Sequence, residues 1–292
     1  MPPSLRILLA GSLFALGGAL LKSCDFPSLQ RAGIRAVVAS ATIFLLLPAA
    51  RRWPDFRIVM LAPAYFGATC LYVIANALTT AANAIFLQST APLWLILFGP
   101  WLLKEKPSKR DVITLVCVAV GMAMCFLAPA EVVKTAPDPR LGNWFAIASG
   151  ICFSFVLLGM RWLSRTEPGH AAAALAWGNA FTFPLAFMLM PLVGQHPIAG
   201  GPRDWVLIIV LGSVQVGLAY VILVRAMSLV PAMRASLLLM IEPALNPTIA
   251  WFVHHEAPHW IAVAGGVLIV GSVLLASVLV RHRAEPPPVA GT

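Results

Sequence analysis

Ten polar or aromatic side chains lie inside runs of apolar residues, where an unpaired polar group is costly. Amides and hydroxyls can hydrogen-bond a small polar molecule. An indole face can stack on an aromatic ring or an ammonium group, and a carboxylate can pair with a cation. We therefore take these ten residues as candidates for binding a small molecule. In chain order they are Tyr72, Asn76, Gln88, Thr90, Trp94, Trp101, Gln215, Tyr220, Glu242 and Asn246.

Glu242 has the most specific surroundings of the ten, because Pro243 follows it directly and Asn246-Pro247 comes one turn later. Two prolines four residues apart remove two backbone donors, which frees carbonyl groups beside Glu242 and Asn246. These groups could contact a substrate ammonium or a coupling proton. The carboxylate could instead form a structural ion pair with Arg35 or Arg225, or mark a simple helix kink, and the sequence leaves these alternatives open.

Spacing indicates which candidates share a helix face. Tyr72 and Asn76 are four residues apart and project from one side, whereas Gln215 and Tyr220 are five apart and less well aligned. Buried hydroxyls and amides also join helices to one another, so each candidate has a structural alternative. A further group recurs along one stripe: Asn83, Thr90, Trp94 and Trp101.

His255, Glu256 and His259 form the H-E-x-x-H pattern, which makes an intramembrane zinc protease the enzyme alternative. That chemistry requires both histidines on one face of a continuous helix, with the glutamate beside the metal-bound water. Pro258 lies between them and would clash with the carbonyl of His254. Because proline is favoured at the first position of a helix, it more naturally begins the next one. We predict no metal site, no cofactor and no enzymatic activity.

The composition excludes most other classes of protein. Of 292 residues, 60% are hydrophobic and 11% are charged, against roughly 25% charged in soluble domains. One core of this size cannot bury so much apolar surface. The five cysteines are scattered among apolar residues, which does not fit a disulfide framework or a metal-ligand set. The sequence therefore predicts a polytopic membrane protein.

Ten runs are long and apolar enough to cross a bilayer, which takes about 20 helical residues. We number these runs as spans one to ten. The first could instead be a signal peptide, since Arg6 precedes a short apolar run. The spans cover residues 5–21, 29–48, 58–78, 84–103, 112–130, 141–160, 171–193, 205–224, 235–253 and 261–280.

Basic residues are divided unevenly between the two sides of the predicted bundle. When loops are assigned alternately, fourteen of the 20 Lys and Arg residues lie on the side of the N-terminus. The positive-inside rule then predicts that both termini are cytoplasmic. The formal net charge of +9 is thus a topology signal, and no nucleic-acid partner is expected. This assignment counts Arg31 and Arg35 as charges on the opposite side.

A proline followed thirteen residues later by Glu-x-Pro occurs twice, beginning at Pro92 and again, 151 residues later, at Pro243. The first copy ends in a segment with four basic residues, 104–110, whereas its counterpart, 255–261, contains no Lys or Arg. Each half contains five spans, an odd number, so the second half must be inverted. The predicted fold is an all-α integral membrane protein with ten transmembrane helices as two inverted five-helix repeats, a construction typical of secondary transporters.

The chain resembles the EamA-type drug/metabolite transporter superfamily in its ten spans, its two five-span halves and its repeated Pro…Glu-x-Pro pattern. Arg35, near the start of span two, matches an arginine that this family often has at that position. The whole chain looks most similar to the YddG-type amino-acid exporters. The resemblance implies a facilitator or exchanger that exports amino acids, aromatic ones among them, across the bacterial inner membrane. Transport would use alternating access through a central cavity lined by spans three, four, eight and nine, with one and six. Another metabolite, a nucleotide sugar or a cationic drug remains an alternative substrate.

The resemblance also predicts the organisation of the chain. Residues 1–133 form a first EamA-like repeat and 134–283 a second, inverted one. Independently of the resemblance, the three consecutive prolines at 286–288 indicate that 284–292 are a disordered cytoplasmic tail. The expected partners are a small-molecule substrate, an amino acid, and membrane lipid. The protein is expected to be a monomer or a homodimer.

Overall fold

A computed structural model describes residues 2–102, 109–129, 132–164, 169–227, 238–239 and 241–281. Within these ranges the chain is helical apart from connecting turns and one isolated bridge between Val133 and Ala136. The α-helices are α1 (Pro3–Ala15), α2 (Gly17–Lys22), α3 (Ser28–Leu46), α4 (Phe56–Leu78), α5 (Ala81–Gln88), α6 (Ala91–Leu102), α7 (Lys109–Leu127), α8 (Pro139–Ser164), α9 (His170–Leu189), α10 (Pro202–Val210), α11 (Ala219–Met227), α12 (Ile241–His254) and α13 (Trp260–Arg281).

The helices follow the ten predicted spans. Span one corresponds to α1 and α2, span four to α5 and α6, and span eight to α10, the π-helix Leu211–Leu218 and α11. Each remaining span corresponds to one helix. The start predicted for span nine, residue 235, lies outside the described residues.

Length and hydropathy identify six described helical segments that could each cross a membrane, and two shorter apolar helices accompany them. Large apolar side chains cover the outside of the bundle: Leu45, Met188 and Phe252 are each 72% exposed. Such a surface is stable against lipid and unfavourable in water. The six segments are Pro3–Lys22, Ser28–Leu46, Phe56–Leu78, Pro139–Met160, His170–Leu189 and Pro202–Ala226.

Within the described ranges, three spans contain an irregularity in their interior. Leu16 separates α1 from α2, Ser89 and Thr90 separate α5 from α6, and Leu211–Leu218 forms the π-helix inside span eight. Irregular turns leave backbone carbonyl groups without their usual intrahelical partners. In a membrane such groups are tolerated only where protein or a polar cavity satisfies them.

Helix packing has an internal symmetry. In the first half α4 packs against α8 and α9, and in the second the π-helix packs against α1 and α3. When each span is exchanged with the span five places away, the contacts of span three with spans six and seven become the contacts of span eight with spans one and two. The contact between spans two and seven stays the same under this exchange. This pattern fits two halves of five spans each, whereas the boundaries at residues 133 and 283 remain predictions.

A buried polar network, which we name the polar seal, joins four interhelical connections at one end of the bundle. The Lys22 ammonium, at the end of α2, lies 2.7 Å from a Glu256 carboxylate oxygen between α12 and α13. It also donates to the carbonyl groups of Thr79 and Thr135. The other Glu256 oxygen accepts a hydrogen bond from the Ala81 amide at 2.9 Å. These connections all belong to the set that alternate loop assignment places opposite the N-terminus.

Candidate functional site

The three tyrosines of the chain gather around one buried arginine. Tyr65 and Tyr72 lie on α4 and Tyr220 on α11, and all three interact electrostatically with the guanidinium of Arg35 on α3. Tyr72 and Tyr220 also interact with the carboxylate of Glu242, in the first turn of α12. We call these five residues the central polar cluster.

Hydrogen bonds and ring contacts hold the tyrosines in place. The Asn179 amide on α9 donates to the Tyr65 hydroxyl at 2.6 Å. The Asn246 amide, one turn beyond Glu242, is 3.5 Å from the Tyr72 hydroxyl. Phe14, just before the break in span one, packs edge-on against Tyr220 with ring centroids 5.0 Å apart. Residues from both halves thus position the cluster.

Neither charge of the central polar cluster forms an ion pair or a hydrogen bond within the described part of the chain. Arg35 is only 6% exposed, whereas Glu242 is partly exposed. A charge withdrawn from water without a partner costs several kcal/mol. The structural ion pairs of Glu242 with Arg35 or Arg225 are therefore not formed among the described residues, and both charges remain available for another partner.

Three nearby side-chain amides also have buried atoms without a hydrogen-bond partner. Asn76, one turn from Tyr72 on α4, is completely buried, and neither its amide nitrogen nor its oxygen has a hydrogen-bond partner. The side-chain oxygens of Asn246 and Gln215 are likewise buried and unpartnered. Buried polar atoms are normally satisfied, and exceptions point to a bound water or ligand.

Two adjacent glycines let span one approach Asn246 and Gln215 closely. A Cβ at Gly18 would lie 2.3 Å from the side-chain oxygen of Asn246, and one at Gly17 would lie 2.8 Å from the amide nitrogen of Gln215. That Gln215 nitrogen donates to the Phe14 carbonyl at 3.0 Å, where α1 ends. The Gln215 side-chain nitrogen therefore satisfies a backbone carbonyl at the break, whereas the Gln215 side-chain oxygen has no hydrogen-bond partner.

The other candidates from span four lie in a second group whose polar atoms are used. Gln88 donates to the Ser149 hydroxyl at 2.7 Å, and Thr90 donates to the Leu87 carbonyl at 2.6 Å. The Trp94 indole donates to the Thr90 hydroxyl at 3.3 Å. The Thr90 bond satisfies a backbone carbonyl at the break between α5 and α6. α6 includes Trp101, but the side chain of that residue lies outside the described part of the structure.

The structure thus brings Tyr72, Tyr220, Glu242 and Asn246 together, and it adds Arg35 and Tyr65, which are absent from the ten candidates. The sequence does contain a signal for Arg35, because an arginine inside an apolar run is costly unless it faces a polar interior. Counting Arg31 and Arg35 as loop charges is wrong. Both lie within α3 and are buried, and Arg31 donates to the Leu21 and Cys24 carbonyls.

The H-E-x-x-H residues do not share a helix face. α12 ends at His254, α13 begins at Trp260, and His255 has a φ of 55°. Glu256 is used by the polar seal, with Lys22 as its ion-pair partner. No group of three or more His, Cys, Asp or Glu residues in the described ranges is arranged to hold a metal ion. The geometry required for a zinc protease is therefore not formed.

A separate apolar groove of about 450 Å³ lies between α12 and α13 at the side of the bundle. Pro243, Pro247, Trp251 and Phe86 contribute to its walls. None of its lining residues belongs to the central polar cluster. The groove and the cluster therefore share no residue.

Comparison with known proteins identifies two matching segments. The model of the EamA-like transporter family matches residues 2–127 and 140–278. An uncharacterized transporter of Archaeoglobus fulgidus is 25% identical over 225 residues, which are 76% of this chain and 77% of that protein. The pseudopaline exporter CntI of Pseudomonas aeruginosa is 26% identical over 272 residues, 91% of this chain and 92% of the exporter.

A solved crystal structure shows the same fold. It covers 97% of this chain and 99% of its own, with a TM-score of 0.65 and 19% sequence identity. At that identity the likeness concerns the fold alone. Together with the family match, it shows an all-α membrane protein built from two family units.

Proposed function

Because the chain belongs to the EamA-like transporter family, we propose that it exports amino acids, aromatic ones among them, across the bacterial inner membrane. Family membership makes it a multi-pass membrane transporter of a small molecule and not an enzyme. Export, the amino-acid substrate and the closer similarity to YddG-type exporters are the proposed part. The name of the Pseudomonas aeruginosa relative, an exporter, favours this direction of transport.

The central polar cluster is the observation that carries the amino-acid assignment. An amino acid has one cationic and one anionic group, and the cluster contains Arg35 and Glu242 with no ion pair between them. Tyr65, Tyr72 and Tyr220 supply hydroxyl groups and aromatic faces beside both charges. Aromatic faces favour contact with aromatic side chains and with ammonium groups. We therefore assign substrate binding first to Tyr72, Tyr220, Glu242, Asn246 and Asn76.

Gln88, Thr90, Trp94, Trp101 and Gln215 remain proposed contacts for other stages of transport. The first three lie at the break between α5 and α6, and Gln215 lies at the break between α1 and α2. Such interruptions in spans accompany substrate sites in secondary transporters. Movement of the short helices about these points would re-expose the polar groups that now satisfy the backbone.

Alternating access requires the polar seal to close one route to the cluster. Lys22 and Glu256 are almost completely buried, with side chains 3% and 4% exposed. Positive-inside topology assigns this end to the outside of the cell and both termini to the cytoplasm. In the proposed cycle, substrate enters from the cytoplasm while the seal is closed and leaves when the seal opens.

Counterflow in proteoliposomes tests the function directly. Vesicles containing purified protein would be loaded with unlabelled phenylalanine, threonine and glutamate, and uptake of each labelled amino acid would be followed with and without a pH gradient. We expect uptake of phenylalanine that protein-free vesicles lack. Glu242→Gln should reduce it, and Asp138→Asn is the control because Asp138 is an exposed carboxylate outside the cluster. Absence of uptake of every amino acid would overturn the assignment.

A further inference from the structure

The charges of the central polar cluster are balanced but separated. Arg35 contributes one positive charge and Glu242 one negative charge, and no described atom of the chain pairs with either. Tyr72 and Tyr220 each lie near enough to both charges to interact with them electrostatically. Helix α3 supplies the positive pole and α12 supplies the negative one.

The neighbouring polar atoms reinforce this division. The Asn246 oxygen beside Glu242 is buried without a donor, which makes the Glu242 end rich in acceptors. An ammonium group has three donors and needs several acceptors, whereas a carboxylate accepts the paired donors of a guanidinium. The acceptor-rich end thus fits an ammonium, and the Arg35 end fits a carboxylate.

We infer that the site selects zwitterions, with the substrate carboxylate on Arg35 and its ammonium on Glu242 and Asn246. This inference rests on the proposed transport function and specifies the recognition behind it. A zwitterion neutralises both poles at once, so neither charge stays buried and unpaired. A cationic drug would leave Arg35 unpaired, and an anionic nucleotide sugar would leave Glu242 unpaired. Both alternative substrate classes are therefore disfavoured by the same pair of residues.

Three probes of similar shape separate the contributions of the poles. Phenylalanine carries both groups, phenethylamine only the ammonium, and phenylpropionate only the carboxylate. We would measure binding to detergent-solubilised protein by ligand-induced thermal stabilisation, and transport by competition with labelled phenylalanine in proteoliposomes. Wild type should bind phenylalanine about 10- to 100-fold more tightly than either single-charge probe, since each lacks one charge-assisted interaction.

The variants should show a crossed pattern. Arg35→Gln should weaken phenylalanine binding about 10- to 100-fold and leave phenethylamine binding unchanged. Glu242→Gln should weaken phenylalanine equally and leave phenylpropionate binding unchanged. Arg35→Lys should retain part of the preference for carboxylate, because it keeps the charge and loses the fork-shaped donor pair. Arg51→Gln is the control, since Arg51 bonds only to the Phe44 and Leu45 carbonyls at the end of α3 among the described contacts.

The outcomes distinguish this inference from the proposed function. Phenylalanine transport with equal competition by all three probes would overturn zwitterion selection and leave amino-acid export intact. Zwitterion-selective binding without transport would support the recognition and overturn the export. A uniform loss for all probes in both variants would show that the two residues are structural, and would also overturn the inference.

Discussion

Arg35 and Glu242 show how strongly the meaning of a single charge depends on its surroundings. Along the sequence, Arg35 looks like a loop charge near the start of span two, and Glu242 looks like an isolated acid before a proline. The fold buries Arg35 to 6% exposure and places both near the same two tyrosines. A charge in an apolar interior is costly while it has no partner, so these two residues dominate the chemistry of the site.

Gly18 offers a test of how tightly the site is built. An added methyl group in Gly18→Ala would lie 2.3 Å from the Asn246 oxygen, so the Asn246 side chain, whose nitrogen is 3.5 Å from the Tyr72 hydroxyl, must shift. Because small displacements of binding groups cost large factors in rate, we expect transport to fall roughly 10- to 100-fold. Initial counterflow rates, normalised to the amount of reconstituted protein, measure this.

Gly271→Ala is the matched control, because no atom lies within 4 Å of the added methyl group at that position. It should transport at the wild-type rate. Equal rates for the two variants would show that Asn246 tolerates displacement and is not a binding residue.

At the scale of helices, hydropathy predicted the elements well, and local chemistry explains where it did not. The runs at 58–78 and 141–160 closely match α4 and α8, because a membrane helix must satisfy its backbone internally along its whole length. The interruption at Leu16 has no proline, and the turn is satisfied by the Gln215 side chain from span eight. Hydropathy reports how apolar a window is and carries no information about such distant partners.

The polar seal makes a prediction about element packing. Removing one charge from a buried pair leaves the other uncompensated, so Lys22→Met or Glu256→Gln should each lower the free energy of unfolding by about 3–5 kcal/mol. Lys22→Met additionally leaves the Thr79 and Thr135 carbonyls without their donor. Denaturant unfolding in micelles, followed by tryptophan fluorescence, measures each value.

The double variant should be less destabilised than the sum of the two single variants, because neither charge then stays unpaired. Lys134→Met serves as control, since Lys134 is exposed. Strict additivity in this cycle would mean that the two residues do not stabilise each other.

For the whole molecule, the distribution of basic residues between the two sets of connections predicts which end of the bundle faces the cytoplasm. In a variant whose five free cysteines are replaced by alanine, Trp53→Cys should react with a membrane-impermeant maleimide only after cells are opened. Leu192→Cys should react in intact cells. Both positions are well exposed, at 87% and 77%. The reverse labelling pattern would place the termini outside and overturn the proposed direction of export.

The sequence by itself determined the membrane class, the ten spans and the two-unit organisation. These properties depend on the local run of apolar residues and on motifs that repeat along the chain, so they can be counted without coordinates. It also placed Tyr72 with Asn76, because both lie on one helix.

Only the tertiary structure decided which polar residues meet. Arg35, Tyr65, Tyr220 and Glu242 come from four helices, and their convergence depends on how each helix is rotated about its axis. The apolar pattern of the sequence does not reveal which face of a helix points inward, because both the lipid-facing and the packed sides of a membrane helix are apolar. Close packing at Gly17, Gly18 and other contacts between helices fixes it.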